Sequence, residues 1–167
     1  HGALVAFAAF AYWQVTAGWG LPIPVGIVIV LGVGAGIGLA IEALVTHRLE
    51  GTSESTRMVV TLAMLLGLIA AMNWIWDPSV NRTVPSLFPT EAVTFAGQRI
   101  PYHDVIVLLS AIGVAGGLRY LLYRTRSGVQ MRATVDSRTL ATLHGVSPSR
   151  TALRSWAISG ATAALAG

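Results

Sequence analysis

Apolar stretches long enough to cross a lipid bilayer recur along this chain. They lie at about 3–18, 25–45, 58–76 and 105–123, and another begins near 152 and runs to 167. A helix rises about 1.5 Å per residue and the hydrocarbon layer is about 30 Å thick, so an apolar run of roughly 20 residues reads as a span. Charged residues make up only 11% of the chain and hydrophobic ones 54%, whereas a soluble domain carries about 25% charged residues. The expected fold is therefore all-α, a polytopic transmembrane helix bundle of about five spans with the last one incomplete. A polar segment, 124–151, separates the fourth span from the fifth.

The chain opens at His1 rather than at a methionine and stops inside an apolar run. It reads as a piece of a longer membrane subunit, one partial transmembrane domain over 1–167. Tyr12, Trp13 and Trp19 cluster near the end of the first span, as aromatics do at a membrane interface. Pro22 and Pro24 open the second. That span holds two small-xxx-small pairs, Gly32/Gly36 and Gly34/Gly38. Glycines so spaced let another helix approach closely, and helix packing is the favoured reading over a glycine-lined solute path.

The stretch 77–104 carries Pro78, Pro85, Pro89 and Pro101, which argue against a continuous helix there. Within it, AVTFAGQRI alternates apolar and polar residues around Ala96-Gly97, a weak hairpin signal. Asn81-Arg82-Thr83 fits a glycosylation pattern common by chance. Arg119, near the end of the fourth span, can snorkel to the headgroups.

Arginine density sets the orientation. Arg124, Arg126, Arg132, Arg138, Arg150 and Arg154 crowd 124–154, while 77–104 carries Arg82 and Arg99. The positive-inside bias places 124–154 in the cytoplasm. Alternation then places 46–57 there too, with 19–24 and 77–104 outside.

Several chemistries are excluded. The chain has no cysteine, so disulfides and thiolate-held metals are absent. All eleven basic residues are arginine. A phosphate-binding P-loop needs its lysine, so any ATP chemistry must come from another subunit. No H-E-x-x-H or G-x-S-x-G occurs. The histidines, His1, His47, His103 and His144, are far apart. Intramembrane polar residues are few. Glu42 stands about a turn from the end of the second span and is expected to pair with Arg48 or reach the interface; a proton relay is the other reading. Gln14 and Asn73 sit near span ends. Ser110 and Thr61 lie within spans, where such hydroxyls bond back to their own helix.

The polar segment has local order. Asp136 is expected to cap a short helix, SRTLATLH, that Gly145 ends. Leu140, Ala141 and Leu143 give it an apolar side, and His144 sits at its C-terminal end. Ser147-Pro148 reads as the N-cap and first residue of the next helix. Two uses compete, docking into a partner protein or lying on anionic membrane lipid. Nucleic acid is discounted, because the arginines flank a membrane helix and lack interleaved aromatics.

TRSGVQMRATVDSRTLATLHGVSPSRTALRSWAISGATAALAG, residues 125–167, resembles the permease subunits of branched-chain amino acid ABC importers. There a span is followed by a T-R-x-G-x-x-x-R-A pattern, an alanine-rich coupling segment with a glycine, and a helix opening near F-x-I-S-G-x-L-A-G-L-A-G. Thr125, Arg126, Gly128, Arg132, Ala133, Asp136, Ala141, Gly145, Ile158, Ser159, Gly160, Ala163, Ala166 and Gly167 fit it. IEALVTHRLEG is similar to the family's E-R-x-x-x-R-P-L-R at Glu42 and Leu49, with His47 where the second arginine would be. His1-Gly2 resembles the end of its N-F-A-H-G signature. Ala43, the RLE ending and Trp156 depart from the family pattern, and 77–104 matches little of it.

The resemblance implies an inner-membrane permease that performs no covalent chemistry and carries no cofactor. It implies partners: ATP-binding subunits, a second permease subunit and a periplasmic solute-binding protein. Solutes would be branched-chain amino acids or related small polar molecules such as urea and amides. Asp136, Arg138, Leu140, Ala141, Leu143 and Gly145 would form the ATPase-coupling surface. The competing reading is a membrane scaffold or channel module with no ATPase partner.

Overall fold

The computed structural model describes residues 1–49, 51–80, 82, 92–95 and 98–167. It is a bundle of helices, as the apolar runs require. The helices are α1 (Gly2–Trp13), α2 (Ile23–Leu44), α3 (Glu54–Ile75), α4 (Tyr102–Arg124), α5 (Arg126–Asp136), α6 (Arg138–Leu143) and α7 (Pro148–Ala166). A π-helical turn, Gln14–Gly18, prolongs α1, and a 3₁₀ turn, Thr46–Leu49, follows α2. Among the described residues, three helical runs are long and apolar enough to cross a membrane: Ile23–Leu49, Glu54–Ile75 and Tyr102–Arg124. Most of their apolar side chains face outward, Val28, Leu62, Leu66 and Leu108 among them. Apolar surface on that scale is stable against lipid or other spans, not water.

Local chemistry accounts for the helix ends. Pro22 caps α2 and Pro24 lies in its first turn, where a missing N–H costs nothing. α3 begins at Glu54, earlier than the apolar run at 58, because the Ser53 hydroxyl accepts the Thr56 amide at 3.2 Å. Thr61 donates to the Met58 carbonyl and Ser110 to that of Val107, each within its own helix as expected.

The chain divides into two compact units. The first is His1–Thr83 with Ser147–Gly167, the second Val84–Val146. In the first, α7 packs mainly on α2 and also on α1. Its core joins Ala8, Ala11, Val30, Met72, Trp76 and Ala164, with Phe7, Phe10 and Tyr12 against them. Trp76 stacks on Phe10 at 5.4 Å, meets Phe7 edge-on at 5.3 Å, and donates its indole N–H to Gln14 Oε1 at 3.2 Å. The Arg82 guanidinium lies over Trp13 at 5.2 Å and Phe10 at 5.8 Å, and donates to the Asp77 carbonyl at 2.7 Å. That one side chain ties the chain leaving α3 to the aromatic end of α1.

The second unit contains a hairpin and helices α4 to α6. β1 (Ala92–Phe95) pairs antiparallel with β2 (Gln98–Pro101), Ala92 opposite Pro101 and Phe95 opposite Gln98. This register brackets Ala96-Gly97, where the alternation in AVTFAGQRI centres it. Asn81 and Thr83 of the glycosylation pattern, Pro85, Pro89 and Glu50 of the RLE ending lie outside the described residues.

Candidate functional site

The segment between α4 and α7 is built from two corners and a turn. At the first corner Thr125 does two jobs. Its hydroxyl donates to the Leu121 carbonyl at 2.6 Å and accepts the Gly128 amide at 3.1 Å, so it closes α4 and caps α5 together. A Cβ on Gly128 would run into the Leu121 and Leu122 carbonyls and lie 2.5 Å from Leu122 Cα. The T-R-x-G spacing thus has a steric reason: only glycine lets α5 fold this tightly against the end of α4. The apolar runs mark no helix over 125–135. The signal was present in Thr125 followed three residues later by the amide it caps.

The second corner corrects an expectation. Asp136 does not cap α6. It is the last residue of α5, because the helix that Thr125 starts runs on through Asp136. The break falls at Ser137 (φ −157°, ψ 109°), whose hydroxyl accepts the Leu140 amide at 3.3 Å. Serine and aspartate both cap well, and the length of the preceding helix decides between them.

The turn ends α6 as Gly145 suggested. Gly145 has φ +78°. Its amide donates to the Thr142 carbonyl at 2.9 Å, and the Val146 amide donates to that of Ala141 at 3.0 Å. These are the paired bonds of a Schellman cap, whose left-handed residue favours glycine. Ser147 then caps α7, with Pro148 first in the helix.

Of the residues read as one apolar side of α6, two share a face and one does not. Leu140 and Leu143 are 58% and 78% exposed, whereas Ala141 is buried at 4%. At 100° per residue, positions 140 and 143 lie 60° apart and 141 turns away. Arg138, Thr139, Thr142 and Leu143 line a shallow open depression of about 390 Å³. Asp136 and Gly145 are exposed. α6 therefore offers water two leucines, an arginine and two threonine hydroxyls on a short, firmly ended helix.

α7, which starts just after this turn, packs closely on α2. A Cβ on Gly34 would meet the Gly160 carbonyl oxygen at 2.5 Å as well as Ala164 Cβ. One on Gly38 would strike the Trp156 carbonyl, and one on Gly160 the Gly34 carbonyl. Contacts fall along α7 as they rise along α2, so the pair is antiparallel. Of the two glycine pairs in α2, Gly34/Gly38 packs, while Gly32 and Gly36 have nothing within 4 Å of an added Cβ.

Glu42 continues the packing stripe of Gly26, Val30, Gly34 and Gly38 at four-residue intervals, and is 3% exposed. Its side chain is buried within the fold. Gln14 accepts from Trp76, and Asn73 is exposed. Outside the spans, Asp77 has its pKa lowered. The main cause is the Ser79 hydroxyl bond at 2.7 Å, then the Ser79 amide at 2.9 Å; desolvation opposes them, and the Arg82 charge adds the least.

Comparison with known proteins adds a consistent result. Residues 1–167 match the family model described as branched-chain amino acid transport system / permease component. The chain is 33% identical over 141 residues to the "Probable branched-chain amino acid transport permease protein LivH" of Methanocaldococcus jannaschii, an alignment covering 77% of this chain and 41% of that protein. The chain thus spans about two fifths of the length of the curated relative it matches. No solved structure matches.

Proposed function

We propose that this chain, which belongs to the branched-chain amino acid transport permease family, forms the membrane-spanning part of an ATP-driven importer and that α6 is where its ATPase grips. The solutes are branched-chain amino acids or related small polar molecules such as urea and amides. The partners are ATP-binding subunits, a second permease subunit and an external solute-binding protein. Segments 46–57 and 124–154 face the cytoplasm of the inner membrane.

One observation carries this reading: α6 exposes Leu140 and Leu143 beside an open depression and is linked through a Schellman turn to α7. Two exposed leucines on one face of a short helix suit the groove of a partner. In this reading the chain running from the Gly145 turn into Ser147-Pro148 carries displacement of α6 on to α7. α7 in turn is locked to α2 through Gly34, Gly38 and Gly160. ATP-driven closure of the partners would move α6, and the α2–α7 pair would follow as one body. Import then requires that the solute be held differently in the outward-open and inward-open states. The chain's own work is binding and movement, and the phosphate chemistry belongs to the ATPase.

The test is uptake driven by ATP in proteoliposomes holding the full subunit with its partners. Leu140→Asp with Leu143→Asp should cut uptake at least about tenfold, the loss of one or two apolar anchors. Insertion and the amount of subunit in the membrane should stay as they were. Undiminished uptake by the double variant would refute docking at α6.

A further inference from the structure

At the end of α4 the ring of Tyr123 holds two arginines. The guanidinium carbon of Arg119 lies 5.5 Å from the ring centroid and that of Arg132 4.8 Å from it. We propose that this elbow between α4 and α5 binds the phosphate of an anionic phospholipid.

The two cations come from different helices and meet by construction. Arg119 stands five residues before the end of α4, and Arg132 returns on α5 because Thr125 and Gly128 fold the chain tightly there. The arginine side chains and Tyr123 are all exposed. Both guanidiniums lie within cation–π range of one ring and both side chains are exposed, so their N–H donors can reach a phosphate from solvent or lipid.

The local charge is unbalanced. Arg119, Arg124, Arg126 and Arg132 gather within fourteen residues. Among the described residues of this unit the carboxylates are Asp136, one turn beyond Arg132, and Asp104, in the first turn of α4 at its far end. One carboxylate beside four guanidiniums leaves room for an added anion.

Depth selects the ligand. Tyr102–Arg124 is apolar enough to span, and Arg119 sits about 7.5 Å inside its end at 1.5 Å per residue. Tyr120 and Tyr123, both exposed, mark the same level as the interface. Lipid phosphates lie at that level, and a soluble protein does not reach into it. Basic side chains clustered at a span end are the usual receivers of such headgroups. This site is separate from the exposed leucines of α6 and does not depend on ATP coupling.

The experiment is native mass spectrometry of the full-length subunit, stripped of lipid in detergent and titrated with dioleoyl phosphatidylglycerol or dioleoyl phosphatidylcholine. The wild type should retain phosphatidylglycerol in preference. Arg119→Gln with Arg132→Gln should weaken that binding about tenfold or more, as two interfacial charges predict, and leave phosphatidylcholine unchanged. Arg124→Gln with Arg126→Gln removes the same charge from neighbouring positions that do not share the Tyr123 ring, and should weaken binding clearly less than the first double variant. Should the first double variant not be recovered, Arg132→Gln alone should weaken binding about threefold or more. Equal losses in both double variants would mean diffuse attraction and would overturn the site. So would no preference in the wild type, or full displacement by millimolar inorganic phosphate, which would mark a free-anion site. A partner protein lost from the Arg119/Arg132 variant with phosphatidylglycerol binding intact would overturn it too.

Discussion

Gly34 and Gly36 differ by two positions and by everything that surrounds them. Gly34 meets the backbone of Gly160 where α2 and α7 touch, while Gly36 faces open space. Gly34→Leu should destabilise the subunit by about 1–3 kcal/mol or more, since neither facing backbone can yield. Gly36→Leu should stay within about 0.5 kcal/mol for the isolated subunit. Unfolding of both variants in detergent checks the contrast, and equal effects would contradict the packing described. Outside the spans, Ser79 is the main cause of the lowered Asp77 pKa. A carboxylate with a depressed folded-state pKa contributes stability that is present above its unfolded value and lost as pH falls through the lower folded value. The contribution is thus constant at neutral pH and is lost only as pH falls below the ordinary aspartate value of 3.8. Ser79→Ala should raise the Asp77 midpoint toward that value in a titration followed by carboxyl chemical shifts.

Among the elements, the short helix α6 depends most on its ends. Gly145→Val places a β-branched residue at φ +78°, a conformation costing L-residues about 1–2 kcal/mol. The variant should fray α6 and lower uptake per ATP consumed, while Gly145→Asn, which tolerates that conformation, should retain most of it. Measured coupling ratios decide, and equal ratios in the wild type and both variants would remove Gly145 from the mechanism. These ends were partly legible. Gly145 and Ser147-Pro148 announce themselves because each solves a local backbone problem, and the hairpin register follows from alternation around Ala96-Gly97. Asp136 misled because a cap's identity depends on where the previous helix stops, and α5 itself was unread. Which glycine pair of α2 packs was equally hidden. Both pairs have the same spacing, and only the position of α7, set by the whole fold, distinguishes them.

For the whole molecule, arginine density predicts one orientation. The chain lacks cysteine, so single cysteines placed in it report cleanly. Thr52→Cys and Thr142→Cys should react with an impermeant thiol reagent from the cytoplasmic side, and Ser79→Cys from the opposite side. Any other pattern would overturn the topology. The exposed apolar faces of α2, α3 and α4 fit a chain that meets lipid and further spans, in keeping with a permease whose curated relative is longer. The α2–α7 pair also carries a consequence for how such a chain is made. Its partners are separated by more than a hundred residues, with the whole second unit between them. At about 5–20 residues per second, roughly ten seconds pass between synthesis of the first helix and arrival of the second. During that interval the notch at Gly34 and Gly38 stands open in the membrane with the buried carboxylate of Glu42 at its end. Whatever shelters nascent spans as they leave the insertion machinery must cover that face until α7 arrives.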